Sequence, residues 1–90
     1  MANEKKVPLV CHYSFDPEVS VWLFDTEDEA LAELKRQFEE ELRIQIDENG
    51  HVLDEDLVTD VDPSGYWASI TIYWDENEDV QTWAIGQVKN

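Results

Sequence analysis

The chain reads as an α+β protein: an antiparallel sheet of four to five strands with one helix packed on one face, in the order ββαβββ. Three observations carry that reading. Apolar residues alternate with period two in several short runs, they recur at helical spacing in one longer run, and turn signals separate the runs. At 90 residues the whole chain, 1–90, is read as one domain, because a second would leave both halves too small to bury a core unaided.

The elements follow in order. From Val7 to Phe15, Val7, Leu9, Cys11, Tyr13 and Phe15 alternate with Pro8, His12 and Ser14, the pattern of a half-buried strand. Asp16-Pro17-Glu18 turns the chain, with proline where a type I turn wants its fixed φ. Val19, Val21 and Leu23 then alternate with Ser20, Trp22 and Phe24 as the return strand of a hairpin. Thr26-Glu27-Asp28-Glu29 is a capping box, and Ala30, Leu31, Leu34, Phe38, Leu42 and Ile46 form a one-sided apolar stripe behind it. The helix is expected to end near Glu48, with Gly50 in the left-handed position, although Arg43 to Asp47 also fits a short extended segment. His51 to Asp56 reads as a loop and Leu57 to Val61 as a short strand. Asp62-Pro63-Ser64-Gly65 is a turn with glycine fourth. Tyr66 to Trp74 is the clearest strand, with Tyr66, Ala68, Ile70, Ile72 and Trp74 on one face and Trp67, Ser69, Thr71 and Tyr73 on the other. Asp75 to Asp79 turns, and Val80 to Val88 returns, with Gly86 marking a bulge.

Several functions are disfavoured. No apolar run is long enough to span a bilayer, and the charged start, Met1 to Lys6, leads into a strand pattern rather than a signal-peptide core. The lone cysteine, Cys11, has no partner for an internal disulfide, so a reducing cytoplasm is the expected compartment. Cys11 and His12 are adjacent, but strand neighbours point to opposite faces and cannot form a thiol–imidazole pair. With 3 glycines there is no phosphate loop and no nucleophile elbow. Acid/base chemistry needs a carboxyl in an apolar pocket, and the apolar rows contain none. Asp60 to Gly65 matches the start of a calcium loop, D-x-D-x-S-G, yet its twelfth position is Thr71 and its flanks are strands. The reading is therefore non-enzymatic, with no metal and no cofactor.

Charge is the anomaly. Against 22 acidic residues stand 6 basic ones, for a net −16. Lys5, Lys6 and Lys89 lie near the termini, leaving Lys35, Arg36 and Arg43 in the body. Such a chain repels DNA, RNA and anionic lipid and attracts basic surfaces. Part of the acid is structural: Glu27, Asp28 and Glu29 suit the positive helix end, and Lys35, Glu39 and Arg43 stand at i,i+4 spacing. The remainder opposes folding, as with Asp47 and Glu48 at the negative helix end and the acid-crowded loops. Carboxylates held in an array can stand in for phosphates, which duplex DNA carries at about one per 1.7 Å of axis. The residues that would do so are Glu33, Glu40, Glu41, Asp47, Glu48, Asp54, Glu55, Asp56, Asp60, Asp62, Asp75, Glu76, Glu78 and Asp79. A second candidate surface is the sheet face away from the apolar rows. There Trp22, Trp67 and Tyr73 are expected, either under the Val52 to Val61 segment or against a second copy in a homodimer or another partner.

The segments Asp28-Glu29-Ala30 through Phe38-Glu39-Glu40-Glu41-Leu42, Tyr66 through Tyr73, and Trp83-Ala84-Ile85-Gly86 resemble small acidic proteins of gut Firmicutes phages and conjugative elements, across about two-thirds of the chain. The resemblance implies a mobile-element setting, in which anti-CRISPR and anti-restriction proteins occur, many of them acidic nucleic-acid mimics. It implies as partner a basic nucleic-acid-binding protein such as a CRISPR effector or restriction enzyme, and it transfers no functional residue.

Overall fold

The computed structural model describes residues 6–86. Its strands are β1 (Val7–Tyr13), β2 (Val19–Phe24), β3 (Leu57–Val61), β4 (Trp67–Trp74) and β5 (Asn77–Ile85), and the helix α1 spans Glu27–Arg43. The strands form one five-stranded antiparallel sheet in the order β2-β1-β5-β4-β3, with α1 on one face. The expected α+β architecture is the one observed.

Alternation decides the faces. Leu9 and Cys11 of β1, Ala68, Ile70 and Ile72 of β4, and Trp83 and Ile85 of β5 are buried under Ala30 and Leu34 of α1. Leu31, Phe38, Leu42 and Ile46, the rest of the predicted stripe, pack against this core at partial burial. Trp83 is fully buried, its indole N–H donating to Gln37 Oε1 at 3.1 Å and its ring meeting Phe38 edge-on.

The helix starts at the expected N-cap, with the Glu29 side chain reaching back to the Thr26 hydroxyl rather than to its backbone N–H. Thr26 Oγ1 accepts from the Glu29 backbone N–H at 3.2 Å, while the Thr26 hydroxyl donates to the Glu29 carboxylate. Its end is wider than expected. After Arg43 the backbone loosens into a π-helical turn, Ile44–Glu48, closed by Asn49 N–H to Ile44 O at 3.1 Å. Gly50 then takes φ +76° and His51 N–H reaches Gln45 O at 2.9 Å. Arg43 to Asp47 is thus helical rather than extended, and Ile46 packs against the core at partial burial.

Boundaries shift elsewhere. Strand β1 stops at Tyr13, where Asp16 N–H bonds to Tyr13 O at 3.1 Å and Asp16 Oδ1 accepts from Glu18 N–H at 2.9 Å. Tyr66 precedes β4 rather than opening it. The β4–β5 connection is shorter than Asp75 to Asp79: Trp74 pairs with Asn77, leaving Asp75 and Glu76 as the turn, with Asp75 at φ +43°. Gly86 follows β5 rather than bulging it, and its N–H bonds to Pro8 O at 3.0 Å. Gln87 and Val88, expected to continue that strand, lie outside the described residues, as do Lys5 and Lys89. The β3–β4 turn forms as expected, with Gly65 N–H to Asp62 O at 2.8 Å and Gly65 at φ +83°.

Candidate binding surface

Cysteine chemistry has no support in the geometry. Cys11 is buried and His12 is exposed on the other face, as alternation requires. Burial pushes the Cys11 thiol up, Gln81, donating to Sγ at 3.3 Å, pulls it back, and the charge of Glu41 raises it further. A thiol held protonated is a poor nucleophile. His51 lies elsewhere, its Nδ1 3.1 Å from Asp56 Oδ2 and its ring edge-on to Trp74 at 5.0 Å.

The calcium-like segment is used internally. Asp62 Oδ2 accepts from Ser64 N–H at 2.9 Å and from the Ser64 hydroxyl, which holds its carboxyl below the usual range. Asp60 belongs to β3 opposite Ser69, on the face away from the helix. Among the described residues no group of three or more His, Cys, Asp or Glu side chains is placed to hold a metal. No helix of the described residues is long and apolar enough to cross a membrane.

The predicted acidic residues divide into two sets. Glu33 is neutralised within the helix: Arg36 donates to both its oxygens at 2.7 and 2.8 Å, and the hydrogen bonds from Arg36 and Gln37 hold its carboxyl down to about 2. Arg36 also grips Glu40 at 2.8 Å. The helix pairs are therefore centred on Arg36 rather than on Glu39, and Arg43 reaches Glu48 at 4.0 Å instead. Asp62 is taken up by its turn at the opposite end of β4, and Asp60 lies on the open sheet face.

The others converge on one end of the molecule. Asp56 O accepts from Tyr73 N–H at 2.9 Å, which ties the loop carrying Asp54 and Glu55 to the end of β4. Asp56 itself is drawn down by His51 and by the Val52 N–H, 2.6 Å from Oδ1. Asp79, opposite Ile72, accepts from Trp74 Nε1 at 2.6 Å beside the turn of Asp75 and Glu76. A cleft of about 200 Å³ joins this hairpin to the end of the helix through Glu41, Gln45 and Asn49, next to Asp47 and Glu48. Asp54 and Asp75 are both held at left-handed φ, +67° and +43°, a region aspartate enters more readily than most residues. Beside the carboxylates at this end lie the guanidinium of Arg43, 4.0 Å from Glu48, and the imidazole of His51 against Asp56.

The sheet face opposite the helix differs from expectation at one residue. Trp22 pairs with Leu9, so it points to the helix side, where it lines a cleft with Cys11 and Trp83. The edge strand β2 shows Val19, Val21 and Leu23 on the open face instead. Trp67 and Tyr73 are there as predicted. Across the face run Val21, Val10, Ala84 and Trp67, one residue from each of four paired strands. The loop from His51 to Asp56 closes over Trp74 and leaves this face open. Parity alone could not place Trp22, because both faces of β2 carry large apolar side chains.

Comparison with family models, curated proteins and solved structures finds no match.

Proposed function

We propose that the chain is a non-enzymatic inhibitor that presents its acidic end to a basic, nucleic-acid-binding bacterial protein and so occupies the groove of that protein's DNA or RNA. The observation that carries this is the convergence of Glu41, Asp47, Glu48, Asp54, Glu55, Asp56, Asp75, Glu76, Glu78 and Asp79 around the helix end and the β4–β5 hairpin. Rigid carboxylates of one sign repel nucleic acid, steer a basic partner into contact, and give salt-dependent binding. The mobile-element setting implied by the resemblance suits an anti-CRISPR or anti-restriction role in the host cytoplasm.

The test is capture of host proteins on the tagged chain at low and high salt, with and without competing duplex DNA. A nucleic-acid enzyme retained at low salt and displaced by DNA is the expected result. Capture that ignores both salt and DNA overturns the reading. So does unchanged affinity after Asp54, Glu55, Asp75 and Glu76 are all changed to lysine.

One observation favours a second reading, a homo-oligomeric accessory protein. The row Val21, Val10, Ala84 and Trp67 is apolar and uncovered on a chain that is otherwise densely charged. The high net charge opposes association of two copies, and an apolar row offsets that repulsion by burial. That reading expects a dimer mass by light scattering, lost in Trp67→Ala. A monomer mass across the micromolar range removes it.

A further inference from the structure

The helix does not cover the sheet evenly. At its C-terminal half two clefts open on either side of it, and both are lined by Tyr13, Glu41 and Gln81. The cleft towards β4 adds Phe15, Trp74, Gln45 and Asp79. At about 200 Å³ it is smaller than the roughly 300–1,000 Å³ of small-molecule sites, and it suits one long side chain.

Its walls have a definite chemistry. Tyr13 and Phe15 stand 5.3 Å apart at 46° and form one aromatic side. Trp74 also lines the cleft, with His51 against its edge and its indole N–H on Asp79. Charge enters only as carboxylate, from Glu41 and Asp79 in this cleft and from Glu40 and Glu41 in the other, and no lysine, arginine or histidine lines either. Glu41 is itself positioned: Asn49 donates to Gln45 at 2.9 Å, and Gln45 donates to Glu41 Oε2 at 2.7 Å. That leaves Oε1 for a further donor.

Aromatic faces and carboxylates in one concave site select a cation. A guanidinium fits better than an ammonium, because it is planar, stacks on rings, is weakly hydrated, and offers several N–H donors in a fork. We propose that this cleft receives an arginine side chain of the basic partner, stacked on one of its aromatic lining rings and hydrogen-bonded to Glu41. The proposal rests on the acidic-inhibitor reading and adds a specific anchor to a surface that charge alone would leave undirected.

The experiment is an NMR titration of the full chain at physiological salt with blocked Gly-Arg-Gly, its lysine counterpart and its citrulline counterpart, the last a neutral analogue of the same shape. The expected order is arginine, then lysine, then citrulline, with citrulline at least about tenfold weaker, the scale of one charge-assisted hydrogen bond. The shifts should centre on the Trp74 indole N–H, Tyr13 and Gln45. Glu41→Gln should weaken arginine about tenfold. Asp79→Asn should weaken it too, without either variant changing the rest of the spectrum. Citrulline binding as well as arginine, shifts spread evenly over the acidic end, or an unaffected Glu41→Gln would each overturn the proposal. Partner capture separates the two levels. If Glu41→Gln still captures the partner while lysine at Asp54, Glu55, Asp75 and Glu76 abolishes capture, the cleft proposal falls and the acidic reading stands. If capture survives both sets of changes, both fall.

Discussion

At the scale of single residues, similar carboxylates do different work because their neighbours differ. Glu33 is gripped by Arg36 and Gln37 and its carboxyl is held down to about 2, from an ordinary 4.5. A carboxyl depressed on folding stabilises the fold above its unfolded value, and that contribution is lost as pH falls through the folded one. The pair's contribution is therefore complete above about pH 4.5 and gone below about pH 2. Because Arg36 is largely in solvent, the gain is screened and small. Glu33→Gln should lower Tm at pH 7 by roughly one or two degrees, and the gap to the parent should close near pH 2. A gap that stays constant with pH would show that the ion pair contributes nothing. Thr26 and Gly50 are simpler cases. Thr26→Ala removes the acceptor of the Glu29 N–H and should cost about 1 kcal/mol. At Gly50 a Cβ would meet nothing within 4 Å, so Gly50→Ala should cost only the left-handed backbone term, about 1 kcal/mol, measurable by urea unfolding.

At the scale of elements, what could be read from the chain depended on how far each signal is local. The capping box, the helix stripe and the turn at Asp62 to Gly65 are decided by residues three or four apart, and each appears where the pattern puts it. Long alternation in β4 assigned Ala68, Ile70 and Ile72 to the core without error. Where a strand has apolar side chains on both faces, parity is silent, and only pairing decides. Leu9 opposite Trp22 turns that tryptophan to the helix side. The acidic end was equally out of reach, since the loop at Asp56 and the hairpin at Asp79 meet only through the Tyr73 and Trp74 contacts. Trp83 is where the elements meet, fully buried between α1 and the centre of the sheet. Trp83→Ala should cost about 3–5 kcal/mol, enough to unfold a domain of this size in part. Trp67→Ala, on the open face, should leave stability within a fraction of that, and comparing the two by thermal melts tests the assignment of faces.

For the whole molecule, the decisive question is why a net charge of −16 is kept. Acid placed only for solubility would spread over the surface, since crowding gains nothing and adds repulsion. Here Asp54, Glu55, Asp75 and Glu76 gather at one end with few cations, on backbone that holds two of them at left-handed φ. That arrangement opposes folding, so removing it should stabilise. The quadruple change Asp54→Asn, Glu55→Gln, Asp75→Asn and Glu76→Gln keeps shape and removes charge, and it should raise Tm by a few degrees at low salt. The advantage should shrink as added salt shortens the screening length to about 3 Å near 1 M. If the acidic end is a binding surface, the same four changes lose partner capture while the fold becomes more stable, the trade expected of a functional site. Equal Tm at low salt would mean that the carboxylates do not crowd one another. Gained stability with undiminished capture would mean that the partner reads another face, and the open row of Val21, Val10, Ala84 and Trp67 would then become the surface to mutate.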